Sequence, residues 1–493
     1  MLQLDIWGLN NMYENNKDIG WKKKNSVGSG GSGSYDDTLI KSKINTLNKE
    51  MDDLQKSVFF VNVESFGAKG DGVTDDTSAI RSAIEYAVNN KLNKVVFNKG
   101  TYLISSIDIP SFICIEMQSG TNIVTNSETE FAFNCNNVTN VVISGGIISG
   151  GFGAVRCVRS QKIKIEGLTV YNTKNGVTCK ESDTCIINSN TFDNINGDIS
   201  GSIGVTLYKT NNSIVTDNRI NNTGQDSILV YDESRNCIIS NNICTDWNRE
   251  NDMGRASIQA YWTDHVIICD NLCYGVNHLE FGIGANETGI RARDCDYIKI
   301  DNNLVKNCYA SGIENILLND TNGKFTQKHT TITNNTIEDV GQYGISSMGT
   351  VANAQPAFTI ISNNIIDGVK WMYTNGTGVG ILSKDNNCII SSNIVRNVGD
   401  MGIGAYGKIK IIGNFIENAG VYNDGNVGVM RVGIFATQEG VEILFNTISH
   451  TMPSEECPMK KGIMQTGNYS YYAFGNILYN DLLMSTEGTN MHN

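Results

Sequence analysis

Seven short stretches, GVTCK, GVTLY, SILVY, SIQAY, GIRAR, GIENI and GISSM, recur between Gly176 and Met348, each opening on a small residue followed by an apolar one. If that apolar residue points inward, strand alternation turns the next residue, and the one two further on, outward. The outward set is Thr178 and Lys180, Thr206 and Tyr208, Leu229 and Tyr231, Gln259 and Tyr261, Arg291 and Arg293, Glu314 and Ile316, then Ser346 and Met348. The expectation is an exposed ridge of three tyrosines, two arginines and a carboxylate. Flat rings beside polar forks suit sugars, which have apolar C–H faces and hydroxyl edges, and guanidinium suits an anionic substituent. Tyr208, Tyr231, Tyr261, Gln259, Arg291 and Arg293 are therefore the candidate substrate-binding residues.

Hydrolysis of a glycosidic bond needs two carboxyl groups, one acid and one base or nucleophile. Asp226 stands just before its ridge stretch and Glu314 within one. The longer segments 196–203, 249–255 and 277–288 precede other stretches and bring Asp198, Asp252, Glu280 and Glu287. Loops on a rigid scaffold are where such groups concentrate. The candidate catalytic set is Glu314 or Glu280 as acid and Asp226 or Asp252 as base. The plainer alternative is a solvated sheet face whose tyrosines only stabilise strand stacking. Five histidines with no ligand spacing, and no CxxC pair, give no reason to expect a metal or other cofactor.

The element that must position these residues is an internal repeat. IINSNTF around Asn190, IVTDNRI around Asn218, IISNNIC around Asn242 and IICDNLC around Asn271 lead into IKIDNNLV, ITNNTI, IISNNII, IISSNIV, IIGNFI, ILFNTI and FGNILY around Asn303, Asn335, Asn364, Asn393, Asn414, Asn446 and Asn476. A period of 21 to 32 residues means stacked supersecondary units. Asparagine tolerates a left-handed backbone, which suits a tight corner between short strands, and stacked asparagines form ladders. A sandwich or propeller would need hairpin turns of the Asn-Gly type, which are lacking between paired strands. The pattern predicts an all-β, right-handed parallel β-helix of about eleven coils, roughly 50 Å long at the usual strand spacing. Fifty glycines and four prolines agree with many corners and an unbroken ladder of hydrogen bonds.

Ahead of the repeats stands FGAKGDGVTDDTSAIRSAIEYAV, followed by KVVFNKGTYLIS. Gly67, Gly70 and Gly72 mark turns, Asp75, Asp76 and Thr77 cap a helix, and Ile80, Ala83, Ile84 and Ala87 form its apolar stripe. Such a helix would close the open end of a solenoid. This segment and the repeats together, from about Val61 to Tyr479, resemble the pectate-lyase-like β-helix superfamily, abundant among phage tailspikes and glycan-active enzymes. The resemblance implies the fold but spans hydrolases, lyases, epimerases and binders. The Asn-Thr-Asp, paired Asp, Gly-His-Gly and Arg-Ile-Lys motifs of polygalacturonase-type members are not intact here, GQDSI being nearest to the second. The several ridge acids that hold calcium in pectate lyases reduce here to Glu314.

The rest of the chain sets boundaries. Residues 1–34 end in VGSGGSGS, a flexible linker by composition, behind a segment (1–24) that would serve as a virion or tail attachment peptide. Residues 35–58 carry Ile40, Ile44, Leu47, Met51, Leu54 and Val58 at 4-3-4-3-4 spacing, a coiled-coil seam suited to a homotrimer. Residues 59–140 hold the cap and first coils, 141–480 the β-helix with its groove, and 481–493 a tail. A net charge of −13 speaks against a nucleic-acid partner. No apolar run reaches the length of a membrane span, and the first ten residues lack a signal-peptide pattern. Thirteen cysteines, several at equivalent strand positions, read as reduced core residues. Together these features lead to a tailspike-like depolymerase that hydrolyses a bacterial surface polysaccharide such as capsule or teichoic acid. It would be carried on a virion tail or otherwise be extracellular. The alternatives are a lyase acting by β-elimination next to a uronate, with Tyr261 or an arginine as base, and a receptor-binding spike without catalysis.

Overall fold

The computed structural model describes residues 59–196, 201–248, 255–275, 287–318, 328–349, 358–370, 378–421, 430–452, 459, 461–466, 471–480, 482–487 and 491–492, with 42, 45, 46 and 49. The chain divides into two compact units, Met1–Ser42 and Lys43–Asn493, and all of the described strands belong to the second. Of the expected stem, Ser42, Asn45, Thr46 and Lys49 are helical and exposed. The seam positions, the attachment segment and the linker lie outside the described residues, as do Asp198, Asp252 and Glu280.

The second unit is a parallel β solenoid. One coil runs from the strand Asn175–Lys180 through Asp183–Asn188 and Thr191–Ile195 to the next ridge strand, Val205–Tyr208. Ridge strands stack into a sheet of 15 strands. The other two strands of each coil form two stacks within a sheet of 31 strands, joined by the long early strands Cys114–Thr125 and Thr139–Ser149. The ridge strands pair in parallel throughout, and Val205, Ile228, Ile258, Ile290, Ile313 and Ile345 fall in one inward column. Because alternation is strict, those residues are fully buried and fill the bore of the solenoid.

Asparagine does hold the corner, in a different way from that expected. The left-handed residue is the one before each ladder asparagine: Ser189, Asp217, Asn241, Asp270, Asn302, Asn334, Asn363 and Ser392 have φ between 54° and 59°. The ladder asparagine itself turns inward. Asn271, for example, receives the Asn242 backbone N–H at 3.0 Å and its side-chain amide at 3.0 Å on Oδ1, and donates Nδ2 to Ile239 O at 3.0 Å and Asn303 Oδ1 at 3.0 Å. The same pattern continues to Asn476. At the corner before the ridge sheet, Gly289, Gly312, Gly344, Gly380, Gly402 and Gly433 recur because a Cβ has no room; at Gly312 it would sit 2.7 Å from Gly344 O. That is the reason so many ridge stretches begin with glycine.

The cap helix spans Thr77–Asn89 and buries Thr77, Ile80, Ala83, Ile84 and Ala87. Asp75 caps it, accepting the Thr77 N–H at 2.9 Å, whereas Asp76 makes no capping bond. Asp76 instead accepts the N–H groups of Lys69 at 2.6 Å and Gly70 at 3.1 Å and so pins the glycine turn. Asp71 accepts from Val73, Thr74 N and Thr74 Oγ1, and those bonds hold its carboxyl below the usual value. Each of these carboxylates thus has a structural task. All cysteines among the described residues are free, and all but Cys269 are buried. Among the described residues no helix is long and apolar enough to cross a membrane.

The ladder makes a direct prediction. Asn303→Ala removes the acceptor for two Asn271 donors and the donor for Ile268 O, all buried. Buried groups left without partners cost about 1–3 kcal/mol each, so a loss of at least about 2 kcal/mol is expected in denaturant unfolding. A change below about 0.5 kcal/mol would mean the ladder is decorative.

Candidate active site

The ridge sheet carries two outward rows that differ in exposure. In the outer row, Tyr208, Tyr231, Tyr261 and Arg293 are consecutive register partners and half-buried. Tyr208 and Tyr231 have centroids 4.7 Å apart, Trp262 stacks on Tyr261 at 4.3 Å, and the Arg293 guanidinium lies 4.8 Å over the Tyr261 ring. In the inner row, Thr206, Leu229, Gln259, Arg291, Glu314 and Ser346 are register partners. The ridge was expected to face solvent along its whole width, and for this row it does not: all six are buried, Gln259 at 3%, Arg291 at 5% and Glu314 at 6% exposure. Ile316 is buried as well. The reason at the centre is pairing, since the charged members lie along the sheet bonded to one another.

Arg291 is the hub of that network. Its Nε donates to Glu314 Oε2 at 2.6 Å; one terminal nitrogen donates to Thr288 Oγ1 at 2.9 Å and reaches Glu287 Oε1 at 3.3 Å, and the other reaches Arg255 O at 3.5 Å. Glu287 also accepts the Arg255 N–H at 3.2 Å. Arg255 in turn contacts Asp226 Oδ2 at 3.4 Å, while Asp226 Oδ1 accepts the Ala256 N–H at 2.8 Å. Three carboxyls and two guanidiniums from four successive coils therefore form one chain. Burial works against the charge on Arg291, and Glu314, then Glu287, outweigh it. At Asp226 burial wins: the side chain is fully enclosed and its carboxyl is pushed up to about 6, against the opposing pull of Arg255, the Ala256 N–H and Arg291.

Of the sequence candidates, Asp226, Glu314 and Arg291 thus meet in one network, with Gln259 beside them; Gln259 Oε1 is buried and has no hydrogen-bond partner. Arg293 and the tyrosines lie in the neighbouring row. Asp232, the residue after the ridge strand that ends at Tyr231, stands apart, 3.4 Å from Lys209. Two members of the network, Arg255 and Glu287, carry more of it than their sequence context suggested. The usable signal was position, for each is the last residue before a ridge strand, and Glu287 lies four residues before Arg291. Burial also pushes the Tyr261 hydroxyl up, with Arg293 opposing, so less of it is present as the phenolate that would act as a base.

Stacked parallel coils, an end cap and a polar row on one outer sheet define a capped parallel β-helix. Residues 60–283 match the family model "Rhamnogalacturonase A/epimerase, pectate lyase-like", and residues 199–370 match "Right handed beta helix region". The two matched regions together run from residue 60 to residue 370, and over them the chain is similar to pectate-lyase-like right-handed β-helix proteins. Among curated relatives, it is 25% identical over 320 residues to the capsule K30/K69-specific depolymerase of Klebsiella phage K64-1, covering 63% of this chain and 34% of that protein. It is 43% identical over 63 residues to mannuronan C5-epimerase AlgE2 of Azotobacter vinelandii, covering 13% of this chain and 6% of the epimerase. The chain thus spans about a third of one relative and under a tenth of the other. A solved structure with a similar path is the Dettilon tailspike protein, at 15% identity and a TM-score of 0.40, over 87% of this chain and 68% of that one.

The Asp226 environment predicts a pH effect on stability. A buried carboxyl raised from 3.8 to about 6 stabilises the fold only while it is protonated, so its contribution is lost as pH rises from about 4 to above 6. At about 1.4 kcal/mol per unit, wild type should lose roughly 2–3 kcal/mol relative to Asp226→Asn across that window. Denaturant unfolding of both proteins at pH 4 and pH 7.5 checks this; an unchanged difference between them would show that Asp226 is ionised in the fold throughout.

Proposed function

We propose that the protein cleaves a bacterial surface polysaccharide by hydrolysis along the ridge. The observation that carries this reading is Arg291, held on the outer face of the sheet between Glu314 and Glu287, two carboxylates from different parts of the chain. A solenoid does not need such a cluster to stack. Buried ion pairs are at best weak contributors to stability, so their place beside a row of aromatic rings points to use on a ligand. The name of the phage relative, a capsule depolymerase, supports the substrate class.

Glu314 and Glu287 share one guanidinium and so lie close together. Of the three network carboxyls they are also the nearer to solvent, with side chains 8% and 17% exposed against 0% for Asp226. In the proposed reaction one of them, protonated, gives its proton to the glycosidic oxygen as the bond to the anomeric carbon breaks. Either the other takes a proton from water, whose oxygen joins that carbon, or it bonds to the carbon itself as a covalent glycosyl ester that water then hydrolyses, the water's proton passing to the first carboxylate. Asp226 holds Arg255, and through it the loop-end position of Glu287. Glu280 and Asp252 remain further candidates from the sequence. The tyrosine row and Arg293 seat the sugar rings and an anionic substituent. We propose further that the chain is a tailspike-like part, trimeric through residues 40–58 and attached to a virion through residues 1–24.

Glu314→Gln and Glu287→Gln should each lower turnover by at least about a thousandfold, as loss of a general acid, base or nucleophile does, with polymer binding retained. The check is incubation with a panel of capsular and teichoic-acid polymers, following chain length and ultraviolet absorbance together. Shortening with new absorbance would replace hydrolysis by β-elimination; binding of a polymer that is never shortened would leave a recognition spike.

A further inference from the structure

The outer row does not stop at the tyrosines. Lys180 precedes Tyr208 in register, and Lys209 follows Tyr208 in the chain. Their ammonium nitrogens lie 5.3 Å and 5.4 Å from the centroid of the same Tyr208 ring. Both side chains are about two-fifths exposed, at 41% and 42%. Each has one carboxylate neighbour: Glu181 lies 3.9 Å from Lys180, beyond a hydrogen bond, and Asp232 pairs with Lys209 at 3.4 Å. Two ammonium groups thus converge on one ring at the end of an aromatic row, in a chain whose net charge is −13. Two ammonium groups around one half-open ring favour a further anion beside them, and the aromatic row supplies a face for the sugar that carries it.

We infer that Lys180, Lys209 and Tyr208 form a remote subsite for an anionic group on the glycan, a uronate carboxylate or a phosphodiester. The inference rests on the ridge being the glycan site. Between Lys180 and Glu314 lie five strand steps, through Val205–Tyr208, Ile228–Tyr231, Ala256–Tyr261 and Thr288–Arg293 to Ser311–Leu317, about 24 Å at the usual spacing. A group bound that far from the carboxylates belongs to another sugar of the same strand of polymer. The enzyme would therefore grip an internal stretch and cut within it, and its acidic sugar would recur along the chain.

The test separates this subsite from the chemistry by using Glu314→Gln as parent and reading binding alone. Affinity electrophoresis would compare the parent with a Lys180→Gln/Lys209→Gln version on polygalacturonate and alginate, on the same polymers after carboxyl reduction, and on poly(glycerol phosphate). Roughly a ten- to hundredfold weaker binding to a uronate polymer, with the reduced polymer unaffected, supports a carboxylate subsite; the same loss on poly(glycerol phosphate) alone supports a phosphodiester one. Equal binding by both versions, equal losses on charged and reduced polymers, or no binding by the parent to any charged polymer would overturn it. An active-site failure shows separately, as bound polymer that wild type never shortens.

Discussion

The hydrogen bond from one ladder asparagine to the next fixes where every other residue of the solenoid falls. Each ladder side chain spends its donors on one coil behind and one ahead, and its oxygen takes both a backbone and a side-chain N–H from the coil before it. These groups are buried, so a slip of one residue would strand several of them at once, at about 1–3 kcal/mol apiece. The corner is thereby locked in register. Once it is, strand alternation determines which residues fill the bore and which stand on the ridge. The glycine column at the opposite corner adds a steric condition to this polar one, because the next coil's carbonyl leaves no space for a Cβ at Gly312.

A scaffold held so firmly at its corners can carry groups that destabilise it elsewhere. Arg291, Glu314 and Asp226 are almost wholly buried charges or potential charges on the outer face of a sheet. Taking them from water costs several kcal/mol per ion, and their mutual attraction repays that only because Arg291 is matched on both sides and by Thr288. Asp226 is the member for which the balance falls short, and its raised carboxyl is the visible sign. The network also ties ridge strands to the ends of loops through Arg255 and Glu287, so the loops are anchored by the charges they bring.

Much of this was legible in the sequence because it depends on periodic features. The asparagine period gave the solenoid, the spacing of Ile80, Ala83, Ile84 and Ala87 gave the buried face of the cap helix, and the small-apolar starts gave the ridge register, which every paired strand from Val205 to Met348 reproduces. What escaped depends on contacts that have no period. Alternation says that Gln259, Arg291 and Glu314 leave the bore; it cannot say that Arg291 and Glu314 then pair and that all three are buried. Asparagine's tolerance of a left-handed backbone suggested the wrong residue of the corner, since the side chain needed for the ladder must turn inward and leaves the strained φ to its predecessor. Arg255 and Glu287 were hidden for a related reason, because a loop end has no fixed partner until two coils are stacked.

The two rows of the ridge divide the work of recognition between two kinds of surface. The inner row is buried and its charged members are paired with one another, which suits groups that must be held at defined separations while a bond is made or broken. The outer row is half-wet and built from rings with cations over them, a surface that adapts to successive sugars without demanding one geometry. Because the rows run side by side at the same rise per coil, a polymer lying along the outer one passes the inner one at a fixed distance. Lengthening the solenoid by a coil would add binding surface without disturbing the chemistry, and this separation is available only to a fold whose register is set at the corners, away from both rows.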